Sequence, residues 1–109
     1  MNSDKLTIFF VTTPDFRQAK ELGRNLVEQK LAACCSIIRN LTSIYRWKNK
    51  IEEENECLML IKTKKERTID IIEFIENNHS YDVAECIGID IDSVSGAYRD
   101  WILRNVKEK

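Results

Sequence analysis

The side chains able to do chemistry are few and close together. His79 is the only histidine, and it stands in Asn78-His79-Ser80-Tyr81-Asp82 with Glu85 shortly after. An imidazole beside carboxylates suits copper, zinc or nickel, with Tyr81 lining the site. The same pattern also fits a plain surface histidine after a helix, where a protonated ring gains from the helix dipole. A metal shell needs three or four protein ligands, so Cys34 or a neighbouring subunit would have to complete it. Cys34 and Cys35 are adjacent. In an extended segment they point to opposite faces, so one is free to bind while the other packs. A soft thiolate favours copper(I) or mercury over magnesium or calcium. Cys57 and Cys86 read as small apolar core residues, and the acidic run Glu52 to Glu56 reads as a solvated arm.

Other chemistries are excluded by what the sequence lacks. There is no G-x-G-x-x-G, no G-x-x-x-x-G-K-[ST] and no G-x-S-x-G, and a lone histidine without a nucleophile motif makes a hydrolytic triad unattractive. We therefore expect no enzyme and no organic cofactor. Without a CxxC or a His-x(3-5)-His pair, a closed structural zinc site in one chain is also excluded. Seventeen basic and eighteen acidic residues give a net charge of -1, which offers no general attraction for nucleic acid or anionic membrane. The amino-terminal apolar run, Leu6 to Val11, is too short to span a bilayer and has no cleavage site. Four cysteines without a secretory context are expected to be reduced thiols in the cytoplasm.

The elements that must position these groups follow from periodicity. The 109 residues suit one domain, 1–109. Leu6 to Thr12 is β-branched and aromatic, with apolar residues on both faces, as in a central strand. Thr13-Pro14-Asp15 supplies a capping hydroxyl, a first-turn proline and an early acid for a helix running to about Lys30. Ala32 to Lys48 is extended, turns at Asn49-Lys50 and returns through Ile51 to Ile61, forming a long hairpin with a projecting tip. Ile69, Ile72 and Ile75 form one stripe of a second helix, with Ile71 and Phe74 beside it, ending at Asn77-Asn78. Val83 to Ile91 alternates as a last strand, and Ala97 to Val106 returns to helical spacing.

The order β-α-β-β-α-β plus a closing helix defines an α+β, ferredoxin-like split βαβ domain, with an antiparallel sheet and two helices on one face. An acylphosphatase-like reading loses ground because Thr12-Thr13-Pro14-Asp15 replaces a glycine-rich phosphate cradle. An RNA-recognition reading loses ground because the aromatic RNP pattern is missing. Two helices cover only one face of strands that are apolar on both, so we expect a homo-oligomer built through sheet faces and hairpins.

Thr12-Thr13-Pro14-Asp15, Leu26 to Cys34, Leu41-Thr42-Ser43-Ile44-Tyr45-Arg46-Trp47 and Leu60-Ile61-Lys62-Thr63 resemble the CutA divalent-cation tolerance family. His79 to Glu85 resembles its H-P-Y-E-x-P-E segment, and Ala97 to Ile102 its closing Y-x-x-W helix. The resemblance implies a homotrimer akin to the PII signalling proteins and copper-linked tolerance of divalent metals. It carries copper ligation onto His79 and Cys34. Some members have a cysteine where this chain has Val11 and a histidine where it has Asn78. Ser80, Asp82 and Ala84 replace other motif residues. The expected metal ligands for copper(II) or another divalent ion are therefore His79, Cys34 and Glu85. A second reading is a PII-like sensor or scaffold, whose subunit cleft, lined by Tyr45, Trp47, Lys62, Tyr81 and Glu85, takes a small anion or a partner peptide.

Overall fold

The computed structural model describes residues 5–108. Its elements are β1 (Leu6–Thr13), α1 (Phe16–Glu28), β2 (Cys34–Trp47), β3 (Lys50–Lys64), α2 (Thr68–Asn78), β4 (Ile87–Asp90) and α3 (Gly96–Asn105), with a short 3-10 turn, Lys65–Arg67, before α2. The sheet runs β2-β3-β1-β4 with every neighbouring pair antiparallel, the split βαβ arrangement expected from the sequence.

Strand alternation gives the sheet two distinct faces. Phe9, Val11, Cys35, Ile37, Met59 and Ile61 face α1 and α2, packing with Ala19, Leu22, Leu26, Ile71 and Ile75 as the main core. Ile8, Phe10, Ile38, Leu58, Leu60, Ile87 and Ile89 fall on the other face, where Ile38, Ile87 and Ile89 are about half exposed. The closing helix α3 covers one end of that face, through a second cluster of Leu6, Ala33, Ile102 and Val106. The face is thus partly covered by the chain's own third helix, and the remaining apolar surface lies open.

Several boundaries differ from the sequence reading. The N-cap of α1 is Asp15, whose carboxylate accepts from the Gln18 amide at 2.8 Å. Thr13 instead ends β1 and donates to the Asp15 carbonyl at 2.8 Å. A carboxylate caps as well as a hydroxyl and also favours the helix dipole. At its other end α1 closes at Glu28, with Lys30 left-handed at φ 60 and the amides of Lys30 and Leu31 bonded back to Val27 and Leu26, a Schellman closure. The hairpin turns at Lys48-Asn49, both at positive φ, so Lys50 already pairs with Trp47.

A bulge between Ile38 and Leu41 marks where the hairpin leaves the body of the sheet. In α2 the buried residues are Ile71 and Ile75, while Ile69 is 60% exposed, so the core stripe is rotated from the expected one. The last strand pairs only over Ile87–Asp90, because further along β1 the Thr12 carbonyl is taken by the His79 ring. Gly88 and Gly23 serve close packing: an added Cβ would sit 2.6 Å from the Phe9 ring and 2.8 Å from the Cys35 sulfur. Arg67, which the sequence did not single out, is buried and ties the chain end down, donating to the carbonyls of Lys107 and Glu108 and to Asp70.

Candidate functional site

Two polar clusters stand out. The first is the turn after α2, where three consecutive residues bind three different elements. His79 is buried, its Nε2 lies 2.7 Å from the Thr12 carbonyl of β1, and its Nδ1 accepts from the Tyr81 amide at 3.0 Å. The Thr12 carbonyl can only accept, so Nε2 carries the proton and the ring is neutral with both nitrogens engaged. Ser80 exchanges two hydrogen bonds with Gln18 of α1, at 2.9 and 3.0 Å. The Tyr81 hydroxyl donates at 2.9 Å to Glu56 of β3, a buried carboxylate. Burial first, and then the bond to Glu56, pushes the Tyr81 hydroxyl well above the ordinary tyrosine range.

The second cluster lies on the open face where β2 and β3 pair, Cys34 opposite Lys62. The half-buried Lys62 ammonium donates to Ser36 Oγ at 2.9 Å and reaches Cys34 Sγ at 3.8 Å. Cys34 Sγ also lies 3.8 Å from Ser36 Oγ. Tyr98 of α3 comes near the same residue, and desolvation first, then the neighbouring Cys34, raises the pKa of its hydroxyl. Tyr98 stacks on Trp101 at 5.5 Å, so an aromatic pair borders the cluster. Across the strand Cys35 faces the helices, and burial pushes its thiol up to about 11.

The expected metal ligands are not assembled by one chain. Among the described residues no three His, Cys, Asp or Glu side chains form a group able to hold a metal ion. Cys34 begins one edge strand and Glu85 precedes the other, with β3 and β1 between them. The expected cleft residues fall in two places on one chain, with Tyr45 and Tyr81 both in the neighbourhood of Glu54 and Glu56. Lys62 joins Cys34, Tyr81 joins Glu56, and Tyr45 and Trp47 lie out on the hairpin, 39% and 46% exposed. Sequence reasoning missed Glu56, Ser36 and Tyr98. Ser36 was within reach of it, because i and i+2 on a strand share a face with Cys34.

A groove of about 400 Å³ beside α1, lined by Lys20, Gly23, Arg24, Val27, Glu28, Cys35 and Ile37, lies on the helix side of β2, away from both clusters. No helix among the described residues is long and apolar enough to cross a membrane.

An antiparallel split βαβ sheet with one apolar face left open, and polar clusters at its strand ends, places the chain in a class of small α+β proteins. Residues 7–105 match the family described as CutA1 divalent ion tolerance protein, and the chain belongs to that family. It is 44% identical over 93 residues to Protein CutA of Mus musculus, covering 85% of this chain and 52% of that one. It is 35% identical to the divalent-cation tolerance protein CutA of Thermus thermophilus, covering 90% and 95%. The solved CutA1 structure from Oryza sativa superposes with a TM-score of 0.95 at 29% identity, covering all of both chains. The chain spans about half the length of the mammalian relatives it matches. The family is described by tolerance of divalent ions and not by a reaction.

Proposed function

We propose that this chain works as a homotrimer in the response to divalent metal ions, copper(II) among them, without catalysing a reaction and without an organic cofactor, nucleic acid or membrane. The observation that carries this reading is family membership over residues 7–105, joined to an apolar sheet face that one chain leaves open. Opposite sheet edges meet when copies join head to tail, and a closed ring of such contacts needs no further partner. That arrangement brings Cys34 of one copy towards Glu85 of the partner subunit, supplying thiolate and carboxylate donors that neither chain gathers alone. His79 can join the shell only by giving up its bond to the Tyr81 amide. The four thiols are free, which supports a reducing compartment, the cytoplasm.

The test is a copper(II) titration of the oligomer against a competing chelator. One ion per chain, held at roughly nanomolar Kd or tighter, is the expected result. Binding that is weak or sub-stoichiometric would count against the metal role. An unchanged affinity in His79→Ala would remove that residue from the site.

A second reading is favoured by one observation. Among the described residues the Lys62 ammonium bonds to Ser36 Oγ and Cys34 Sγ, and no carboxylate is bonded to it. A PII-like sensor that takes a small anion at a subunit cleft, with Tyr45, Trp47 and Tyr81 on neighbouring walls, would use that charge.

A further inference from the structure

We propose that α3 is a lid over the Cys34 end of the sheet, hinged at Asp92–Ser95 and latched by Arg67, and that it opens as a unit while the sheet stays folded.

Little of the helix is held by its own burial. Of its ten residues only Ile102 is buried, and Ser95 at its N-cap gives no side-chain bond to the first turn. A helix this short is marginal in water by itself, so docking decides whether it forms. The docked contact is small. Ile102 and Val106 meet Leu6 and Ala33, with Ile91, Val94 and Leu103 at the margin. The chain enters α3 through an irregular segment in which Asp92, Ser93 and Ser95 are exposed.

The far end is fixed by a different kind of contact. Arg67 is buried, and its guanidinium donates twice to the Lys107 carbonyl, at 3.0 and 2.8 Å, and once to the Glu108 carbonyl at 2.6 Å. The Lys107 amide adds a bond to the Lys30 carbonyl at 2.9 Å. These bonds all fall on two residues just beyond the helix, and those from a cation are stronger than neutral ones. Asp70 accepts from the same guanidinium at 2.9 Å and orients its fork. Because that ion pair stays when the carbonyls leave, the latch can release without stranding a buried charge.

The position of the lid gives its opening a consequence. Ala33, packed under α3, is followed by Cys34, which stands opposite Lys62 where β2 begins. This end of the face is the part that the chain closes for itself, beside the apolar surface left for further copies. Undocking bares Leu6 and Ala33 and opens a way to the Cys34 sulfur. Local opening of this kind draws on the segments with the fewest buried contacts.

The test is hydrogen-deuterium exchange on the full chain in its native oligomer, read peptide by peptide for the parent, Arg67→Met and Arg67→Lys. Alkylation of each cysteine is mapped by mass spectrometry in the same samples. Amides in 98–106 should exchange about tenfold or more faster in Arg67→Met, the scale of losing one hydrogen bond to a charged group. Arg67→Lys keeps the charge but loses the fork, so its increase should be smaller. Exchange in β1 and β3 and the mass of the oligomer should match the parent. Cys34 should alkylate faster as α3 opens, while the buried Cys57 keeps its parent rate. If Arg67→Met does not fold, Arg67→Lys carries the comparison.

Equal exchange of α3 in the parent and the variants would overturn the latch. Protection lost from α3 and the sheet together, in Arg67→Lys as well, would show one cooperative unit and overturn the lid. Faster exchange in α3 with Cys34 alkylation unchanged would show that the helix covers nothing on opening, and would overturn the proposal.

Discussion

The turn at His79 and the cluster at Lys62 are both polar, partly buried and assembled from distant parts of the chain, yet they are built in opposite ways. At His79 each ring nitrogen has a complementary partner, and the next two residues close bonds to α1 and β3. At Lys62 a positive charge meets a hydroxyl and a sulfur, with no carboxylate bonded to it among the described residues, and fronts an open apolar face. A network that satisfies itself holds a fold together. A network that leaves a charge unanswered holds a place for something else.

The largest effect that would test this contrast is at the closed network. His79→Ala should destabilise the protein by about 2–3 kcal/mol, since it removes two hydrogen bonds and a buried ring and strands the Thr12 carbonyl. Denaturant unfolding at fixed protein concentration reads the loss. If the variant is as stable as the parent, the structural role of His79 is wrong. Next comes Tyr81→Phe, which leaves the buried Glu56 carboxylate without its hydroxyl and should cost about 1–2 kcal/mol, read from the same unfolding curves.

Lys62→Met should move stability by less than either but change metal binding in the opposite sense to an ordinary site mutation. Its ammonium lies 3.8 Å from the Cys34 sulfur and repels an incoming divalent cation. Copper(II) affinity in the chelator competition should therefore rise about tenfold, roughly 1.4 kcal/mol. A fall in affinity would make Lys62 part of the metal site and erase the distinction between the two clusters.

Two half-buried cysteines sharpen the contrast through pH. Burial raises the thiols of Cys35 and Cys86 from 9.0 to about 11 in the folded chain. Above pH 9 the unfolded chain releases these protons while the folded chain keeps them, so the unfolded state binds fewer protons and stability falls as pH rises from 9 to 11. Unfolding midpoints across that range should decline, and Cys86→Ala should flatten the decline. The smallest expected effect is a gain. Lys30 holds a left-handed φ of 60 at the end of α1, and Lys30→Gly should add about 0.5–1 kcal/mol.

Much of the fold could be read from periodicity, because β1 is apolar on both faces and α1 carries a clear helical stripe. Its boundaries were harder. Asp15 rather than Thr13 caps α1 because both residues are good caps, and only three-dimensional geometry chooses between them. The turn at Lys48-Asn49 carries no glycine, and its asparagine marks only one of the two positive φ angles, so the turn reads one residue too late.

The site was legible as a set of residue types but not as an arrangement. His79 was visible as the only imidazole, yet its role depends on the Thr12 carbonyl, and a backbone partner leaves no trace in the sequence. Glu56 looked like one more acid in a solvated run until the fold buried it against Tyr81. Cys34 and Lys62, assigned by sequence to different chemistries, meet because β2 and β3 pair in a register that sequence spacing does not encode.

The two faces of the sheet pose the same question on a larger scale, since one is closed by α1 and α2 and the other is left for further copies. The measurement that addresses this most directly is the native mass of the oligomer at low micromolar concentration, by light scattering or native mass spectrometry. Three chains of 12.8 kDa each, about 38 kDa in all, is the predicted result. A single chain of 12.8 kDa would contradict the account, because the apolar face would then stand open to water.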